Sequence, residues 1–461
     1  MTTVLASTRP PVATGSGALG VSRDFQRRPL ELMRNLFDEH GDLVKVRFVA
    51  NQYFYLVTHP DYIRHIFATN SANYTKSPHP AFELLSQVMG RGLVTSDGDL
   101  WSRQRRLIQP AFTKQRVDEY GDLMVSATER MATRWRQAGD TTLNLDAEMM
   151  RLTLDVVGQT LFGLDLTDEA SRVSRAFTEV SDDFAKLLGN PLGPLALKIP
   201  FQPTVRRFRR STATLDTVVH GIIAQRREQP EPDNRDLLTL LMAARDEQTG
   251  EGMTDQQLRD EVMTLLLSGH ETTADALTWA FYLLARHPKM LADLEDEVDE
   301  VLGGRAATTA DLPRLAYTKM VVQETLRLYP PIYLFARWGH QPDEVGGYDL
   351  PADATITVCP YVVHRHPEFW PDAEAFRPDR FDSAAKAIDN YAYIPFSGGP
   401  RQCLGIHFAM MEAQLLLATV VQNFRCSIAG SAPINPGAMM TLRPAGGMPV
   451  RVSTRPRGAH V

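Results

Sequence analysis

The chain has 461 residues, 43 % hydrophobic and 23 % charged, a globular balance that excludes wholesale disorder and allows one very large domain or about three ordinary ones. Lys+Arg at 49 against Asp+Glu at 55 leave a net charge of -6, which gives no general drive toward nucleic acid or an anionic membrane. Three cysteines are too few for a disulfide framework and fit a reducing compartment. Residues 1–24 are expected to form a flexible leader. Arg9-Pro10-Pro11 interrupts any signal-peptide core, and no run of about 18 uncharged apolar residues occurs, so a cytoplasmic chain without a membrane anchor is expected. Gly15-Ser16-Gly17-Ala18-Leu19-Gly20 matches G-x-G-x-x-G, but dinucleotide binding requires a strand just before it, and the residues there hold two prolines and no β-run.

Residues 42–60 alternate apolar and polar and are rich in Val, Phe and Tyr, which predicts a β-hairpin. Apolar spacing near 3.6 then predicts helical stretches over 105–135, 145–162, 170–188 and 205–229. Thr254-Asp255-Gln256-Gln257 is a capping box that opens a central helix over 255–286, stopped by His287-Pro288. A helix of about 32 residues, roughly 48 Å long, passes through the middle of a large domain. Further helices are expected at 290–302, 315–328 and 407–424. Residues 330–392 shift to Pro, Gly, Asp and short β-rich runs, and the tail after 424 is β-like. No repeat and no long linker appears. The fold class is mainly α with a smaller β part.

One cysteine stands out. Phe396-Ser397-Gly398-Gly399-Pro400-Arg401-Gln402-Cys403-Leu404-Gly405 places Cys403 in a Gly- and Pro-dense loop before an apolar helix. The helix start and Arg401 both favour a thiolate. Glycines at 398, 399 and 405 would let a flat, bulky group approach the backbone. A single thiolate offered to a planar metal macrocycle is one mode of haem ligation. A zinc site would need more Cys or His nearby, and no Cys lies within twenty residues of Cys403. A catalytic thiol or a plain buried Cys stay open as alternatives. Cys359 and Cys426 read as buried bystanders.

The pattern F-x-x-G-x-R-x-C-x-G resembles the haem loop of the cytochrome P-450 superfamily, and three further motifs follow that family's order. Glu324-Thr325-Leu326-Arg327 resembles its E-x-x-R pair, completed by Arg380 in Phe376-Arg377-Pro378-Asp379-Arg380-Phe381 as a buried structural network. Ser268-Gly269-His270-Glu271-Thr272-Thr273 clusters poor helix formers inside the central helix, a local conflict where side-chain hydroxyls can open the i→i−4 ladder. It resembles the family's oxygen-activation motif, with Thr272 as the hydroxyl, Glu271 as the acid, and Ser268 where Ala or Gly is usual. Trp101-Ser102-Arg103-Gln104-Arg105 resembles the W-x-x-x-R that holds a haem propionate. Arg337 and Arg401 resemble two more propionate arginines.

The resemblance implies a P-450 fold spanning about 25–450, with haem b (iron protoporphyrin IX) as cofactor and Cys403 as axial ligand of its iron. Phe396, Gly399 and Gly405 join the cofactor site. It implies a monooxygenase that inserts one atom of O2 into a lipophilic substrate, such as a fatty acid, terpenoid or other polycyclic. No flavin, nicotinamide or iron–sulfur motif is credible, so electrons are expected from a separate ferredoxin or flavodoxin and its NAD(P)H reductase. Residues 25–461 are expected as a single, monomeric haem domain with no fused reductase. Pocket residues are expected at Phe82, Leu84, Leu85, Val88, Ser268, Ile332, Leu334, Met439 and Met440, under a mobile lid over 187–201. Arg103, Arg106, Lys114 and Arg116 suggest a basic patch for an acidic redox partner. The run Arg206-Arg207-Phe208-Arg209-Arg210 reads as a solvated helix face. A peroxide-driven peroxygenase and a haem-based sensor are the rival functions.

Overall fold

The computed structural model describes residues 9–455 apart from 167, 191–196, 200, 230–235, 247–248 and 386. Its axis is the central helix Asp255–Arg286. The Thr254 hydroxyl accepts the Gln257 N–H, and the Gln257 side chain accepts the Thr254 N–H. Two donors that a helix start leaves open are thereby satisfied. Past its first turn the helix is buried nearly all round, because Leu145–Leu161, Pro203–Glu228, Ala316–Leu328 and Ile406–Asn423 pack on it from different sides. Gly269 permits the close approach of Leu145–Leu161: a Cβ there would stand 3.2 Å from Val157 Cγ2. Trp279, fully buried, stacks on Tyr329 at 4.1 Å and donates its indole N–H to the Leu442 carbonyl at 2.8 Å. Stranding that N–H would cost about 1–3 kcal/mol, so the bond fixes the C-terminal tail against the helix.

The stretch expected as helix over 105–135 is three helices, Gly98–Ile108, Lys114–Asp118 and Gly121–Ala138. Pro110 lacks an N–H, and a 3-10 turn at Gln109–Phe112 breaks the first from the second. The other breaks agree with the 3.6-residue spacing to within a few residues.

The hairpin Leu43–Val49 and Gln52–Val57 does not stand alone. Gln52–Val57 pairs in parallel with Ala354–Val358, which pairs antiparallel with Phe335–Gly339. The N-terminal hairpin and the β-rich stretch after 330 are thus one six-stranded sheet, and the sheet carries Arg337 on an inner strand. The described part of the expected leader is ordered, not flexible. Val12 and Ala13 pair with Lys45 and Val46, and Ser22–Arg27 is helical. Gly20, at φ 51°, lies so close to the carbonyls of Arg47 and Phe48 that no side chain fits. The C-terminal tail adds a hairpin, Pro436–Ala438 with Leu442–Pro444, and a sheet of Phe424–Ile428, Pro449–Thr454 and Thr141–Asn144.

Arg327, fully buried, forks onto Glu324, Nε to Oε2 at 2.7 Å and Nη2 to Oε1 at 2.8 Å. Its other donors reach the carbonyls of His364, Ala373 and Ala375. Glu324 also accepts the Arg377 N–H at 2.9 Å. Arg380 Nε stands 3.4 Å from Glu324 Oε1, a charge contact without a well-directed hydrogen bond. No sequence motif points to His364. Its Nδ1 donates to the Arg327 carbonyl, and its Nε2 accepts the Ile394 N–H at 2.9 Å. Burial and the Arg327 charge push its pKa down to about 3, so it stays neutral. Through His364 the ion pair holds the chain two residues before Phe396, and so sets where the cysteine loop begins.

Candidate active site

A cavity of about 840 Å³ opens between the central helix, the cysteine loop, the inner sheet strands and the C-terminal hairpin. It is walled by Trp101, Arg105, Glu271, Thr272, Arg337, Phe396, Arg401, Cys403 and Gly405, drawn from segments more than 300 residues apart in the chain. Cys403 is exposed to this cavity. Its N–H donates to the Phe396 carbonyl at 3.0 Å, closing the loop that turns it inward. Surrounding protein pushes the thiol pKa up, while the Gly405 N–H, Arg105 and Lys76 pull it down. Arg401, expected to favour the thiolate, instead faces Asp97 and Trp101.

Two of the loop glycines serve the protein, not a ligand. Gly399 does not line the cavity; at φ 65° it abuts the Phe67 carbonyl, where any Cβ would collide. A Cβ at Gly398 would stand 2.7 Å from the Tyr391 ring. Only Gly405 faces the cavity. A glycine reports that something comes close, and here it is backbone and ring.

One end of the cavity is strongly cationic. Trp101 and Arg105 share a face of Gly98–Ile108, with the Arg105 guanidinium 5.7 Å and the Arg401 guanidinium 4.1 Å from the indole ring. Arg401 bonds Asp97 and the Ser96 carbonyl, and leaves Nη1 without a partner. Arg337 is 4 % exposed and donates to the carbonyl of its neighbour Ala336. Burial and Arg401 lower its pKa to about 10. Lys76 also lines this end, its Nζ on the Val94 carbonyl at 2.6 Å. Desolvation, Arg401 and Arg337 hold its pKa well below the ordinary lysine value. Asp97 sets one negative charge against these four cations, and is already used by Arg401 and the N–H groups of Lys76 and Ser77. His79 completes the rim: Nδ1 accepts the Ala81 N–H, Nε2 has no partner, and burial beside Arg337 lowers its pKa to about 4. No sequence motif marked Lys76, His79 or Asp97; each is a single polar residue in the stretch 74–97, without periodicity.

On the opposite wall the central helix stays unbroken where its ladder was expected to open. The Ser268 hydroxyl donates to the Thr264 carbonyl at 2.6 Å and the Thr272 hydroxyl to the Ser268 carbonyl at 2.9 Å. Each hydroxyl donates to a carbonyl four residues back, and the residues remain helical throughout. Glu271 is 2 % exposed with Oε1 unpartnered. Burial, and to a lesser degree Asp146, push its pKa up to about 8, against the pull of Arg443.

The remaining walls are apolar. Phe82, Leu84, Leu85, Ile332, Leu334, Met439 and Met440 line them, with Ser268 among them. Val88 does not; it is fully buried in the helical core. Phe177 and Phe184 of Ala170–Leu188 add a wall that the sequence did not single out. Of the expected lid, 191–196 and 200 lie outside the described residues, while Leu187, Leu188 and Leu197 line the cavity. The basic residues expected to attract a partner are paired on their own surface: Arg103 with Gly252 and Gln257, Arg106 with Asp246, Lys114 with Asp118 and Arg116 with Glu119. In the run at 206–210, Phe208 is buried and Arg207 and Arg210 pair with Asp183 and Glu179.

The family model for cytochrome P450 matches residues 10–448. The chain belongs to the cytochrome P450 family. Among its relatives, cyclooctatin synthase of Streptomyces melanosporofaciens is 39 % identical over 94 % of this chain and 92 % of its own. Pentalenene oxygenase of Streptomyces avermitilis is 33 % identical over 99 % of both chains. Cyclooctat-9-en-7-ol 5-monooxygenase of Streptomyces melanosporofaciens is 36 % identical over 88 % of this chain and 87 % of its own. The chain is a cytochrome P450 monooxygenase with the α+β fold and the haem b cofactor of that family. The family uses O2, redox partners and lipophilic substrates. No helix among the described residues is long and apolar enough to cross a membrane.

The cavity fits the cofactor on its own chemistry. Four basic groups against one carboxylate leave this end of the cavity short of negative charge, and the Arg401 Nη1 is an enclosed donor without an acceptor. The two propionates of haem would supply the missing negative charge. Cys403 stands on the wall below, the one cysteine among the cavity residues.

Proposed function

We propose that this P450 hydroxylates or epoxidises a cyclic terpenoid, with Cys403 as the thiolate that would hold the haem iron and Glu271 and Thr272 as the proton-delivering pair. The observation that carries the reading is the single cavity in which a thiol, an excess of cations, an acid–alcohol pair and apolar walls meet. The substrate class is supported by those walls and by relatives named for pentalenene and cyclooctat-9-en-7-ol, a ring hydrocarbon and a ring alcohol.

Each residue has a role that its surroundings permit. Cys403 would hold the iron as thiolate. Arg105, Arg337, Arg401 and Lys76, with Trp101, would hold the propionates through charge-assisted bonds that partial burial strengthens. Haem b, when bound, supplies oxygen activation, and thiolate ligation favours O–O cleavage. Glu271, with its pKa near 8, is protonated at neutral pH and so has a proton to give. The Thr272 hydroxyl lines the cavity one residue on; its hydrogen is engaged by the Ser268 carbonyl, which leaves its lone pairs free to hold a water or accept a proton. Ile332, Leu334, Met439 and Met440 exclude water and orient the substrate by shape. Electrons come from a separate ferredoxin or flavodoxin and its NAD(P)H reductase.

The test is turnover of cyclic sesquiterpene and diterpene hydrocarbons and alcohols with a surrogate ferredoxin, its reductase, NADPH and 18O2. One 18O atom per product molecule is expected. Turnover on hydrogen peroxide alone, at the rate seen with the reductase, would make the enzyme a peroxygenase. A spin-state shift with no product from any compound would leave a binding protein.

A further inference from the structure

Behind Glu271 the cavity wall hides more acid than oxygen activation needs. Asp275 follows Glu271 by one helical turn, on the same face, and is fully buried. Neither of its carboxyl oxygens has a hydrogen-bond partner. Asp146, in the first turn of Leu145–Leu161, faces the same spot from the packed neighbouring helix. Asp146 is half-buried, with Oδ1 enclosed and unpartnered. Thr441, on the C-terminal hairpin and 2 % exposed, sets its unpartnered hydroxyl beside both Glu271 and Asp275, and lines the cavity as well. Arg443 is the cation that faces all three acids, and it is already bonded to Thr178 and Asp182.

Three carboxyls opposite one shared guanidinium cannot all be ionised in so dry a place. Asp275 is accordingly raised well above the ordinary carboxyl range, first by burial and then by Glu271 and Asp146. A plain structural role does not explain the arrangement. A packing residue would be apolar, and a structural acid would have its oxygens hydrogen-bonded.

Resting on the monooxygenase reading above, we propose that Asp146, Asp275 and Glu271, bridged by the Thr441 hydroxyl, form a proton relay from the protein surface to the cavity. Asp146 takes a proton from solvent on one oxygen and releases one toward Asp275. Asp275 passes its own proton to Glu271, through the Thr441 hydroxyl, which donates one hydrogen as it receives another. Glu271 delivers its proton to the cavity and is reloaded from behind. Each group ends as it began, one proton has crossed, and no electron moves. Asp275 and Asp146 touch neither substrate nor cofactor; they are positioning residues that reload Glu271.

The haem-loaded full chain tests this by infrared spectroscopy in H2O and D2O, with no substrate needed. The wild type is expected to show a protonated-carboxyl band that shifts in D2O and vanishes in Asp275→Asn. In Asp146→Asn the same band is expected to persist but to exchange at least about tenfold more slowly. Absence of the band, or exchange as fast in Asp146→Asn as in the wild type, would overturn the relay. Asp275→Glu, which keeps the proton, is expected to restore the band should Asp275→Asn fold poorly. A failure of the monooxygenase reading shows separately, as no product from any variant, and leaves the band and its exchange untouched.

Discussion

Arg337 is buried beside other cations with a backbone carbonyl of its own neighbour as acceptor, a poor setting for a guanidinium unless an anion joins it. Arg337→Ala is therefore expected to speed haem loss to a scavenging globin by at least about tenfold, since breaking a buried charge pair costs about 3–5 kcal/mol. Arg305→Ala, which removes an exposed arginine from its pair with Asp311 and touches no wall of the cavity, should leave haem retention unchanged. Thr272→Ala is expected to keep haem and substrate binding but to divert reductant from product to peroxide, with coupling down by about tenfold or more. Coupling equal to wild type would remove Thr272 from proton delivery. At this scale the motif residues were legible: Cys403, Trp101, Arg105, Arg337 and Arg401 all reach one cavity. Lys76, His79 and Asp275 were not, because a lone polar residue in a sequence does not say whether it will be buried. Gly399 misled for a related reason, since its need for φ > 0 is visible and its neighbour is not.

Among elements, the Ala316–Leu328 helix fixes the cysteine loop through Glu324, Arg327 and His364. Glu324→Ala strands Arg327 and Arg380 inside the protein, and is expected to destabilise it by about 3–5 kcal/mol, read from chemical denaturation. A loss under about 1 kcal/mol would mean that the arginines are adequately satisfied by the carbonyls alone. Helices were readable wherever a local signal existed, as at the Thr254 capping box and the Pro288 stop. The sheet was not, because Gln52–Val57 finds Ala354–Val358 across about 300 residues, and no local pattern encodes a partner so distant. The N-terminal segment was misjudged likewise: two residues, Val12 and Ala13, order it by pairing with a strand the local sequence cannot name.

For the whole molecule, buried titratable groups set a pH dependence. Glu261 and Glu412 are raised to about 8 by desolvation. Unfolded, they ionise near their ordinary 4.5. Their contribution is full below that value and is lost as pH rises through about 8. His270 and His79, lowered to about 4, contribute stability that is full above 6.5 and lost as pH falls toward 4. Below 6.5 the two effects oppose; above it only the acids act. The denaturation midpoint is expected to fall between pH 6.5 and pH 8, and Glu412→Gln should shrink that fall; a midpoint that rises over the interval contradicts these assignments. On the proposed function, the segments around Trp101, Glu271, Glu324 and Cys403 serve one thiolate-bound haem. The absorption spectrum of the reduced, carbon-monoxide-bound protein tests it most directly. The wild type should show the band of thiolate-ligated haem, and Cys403→His should lose it while still binding haem. The same band in Cys403→His would place the ligand elsewhere and undo the account.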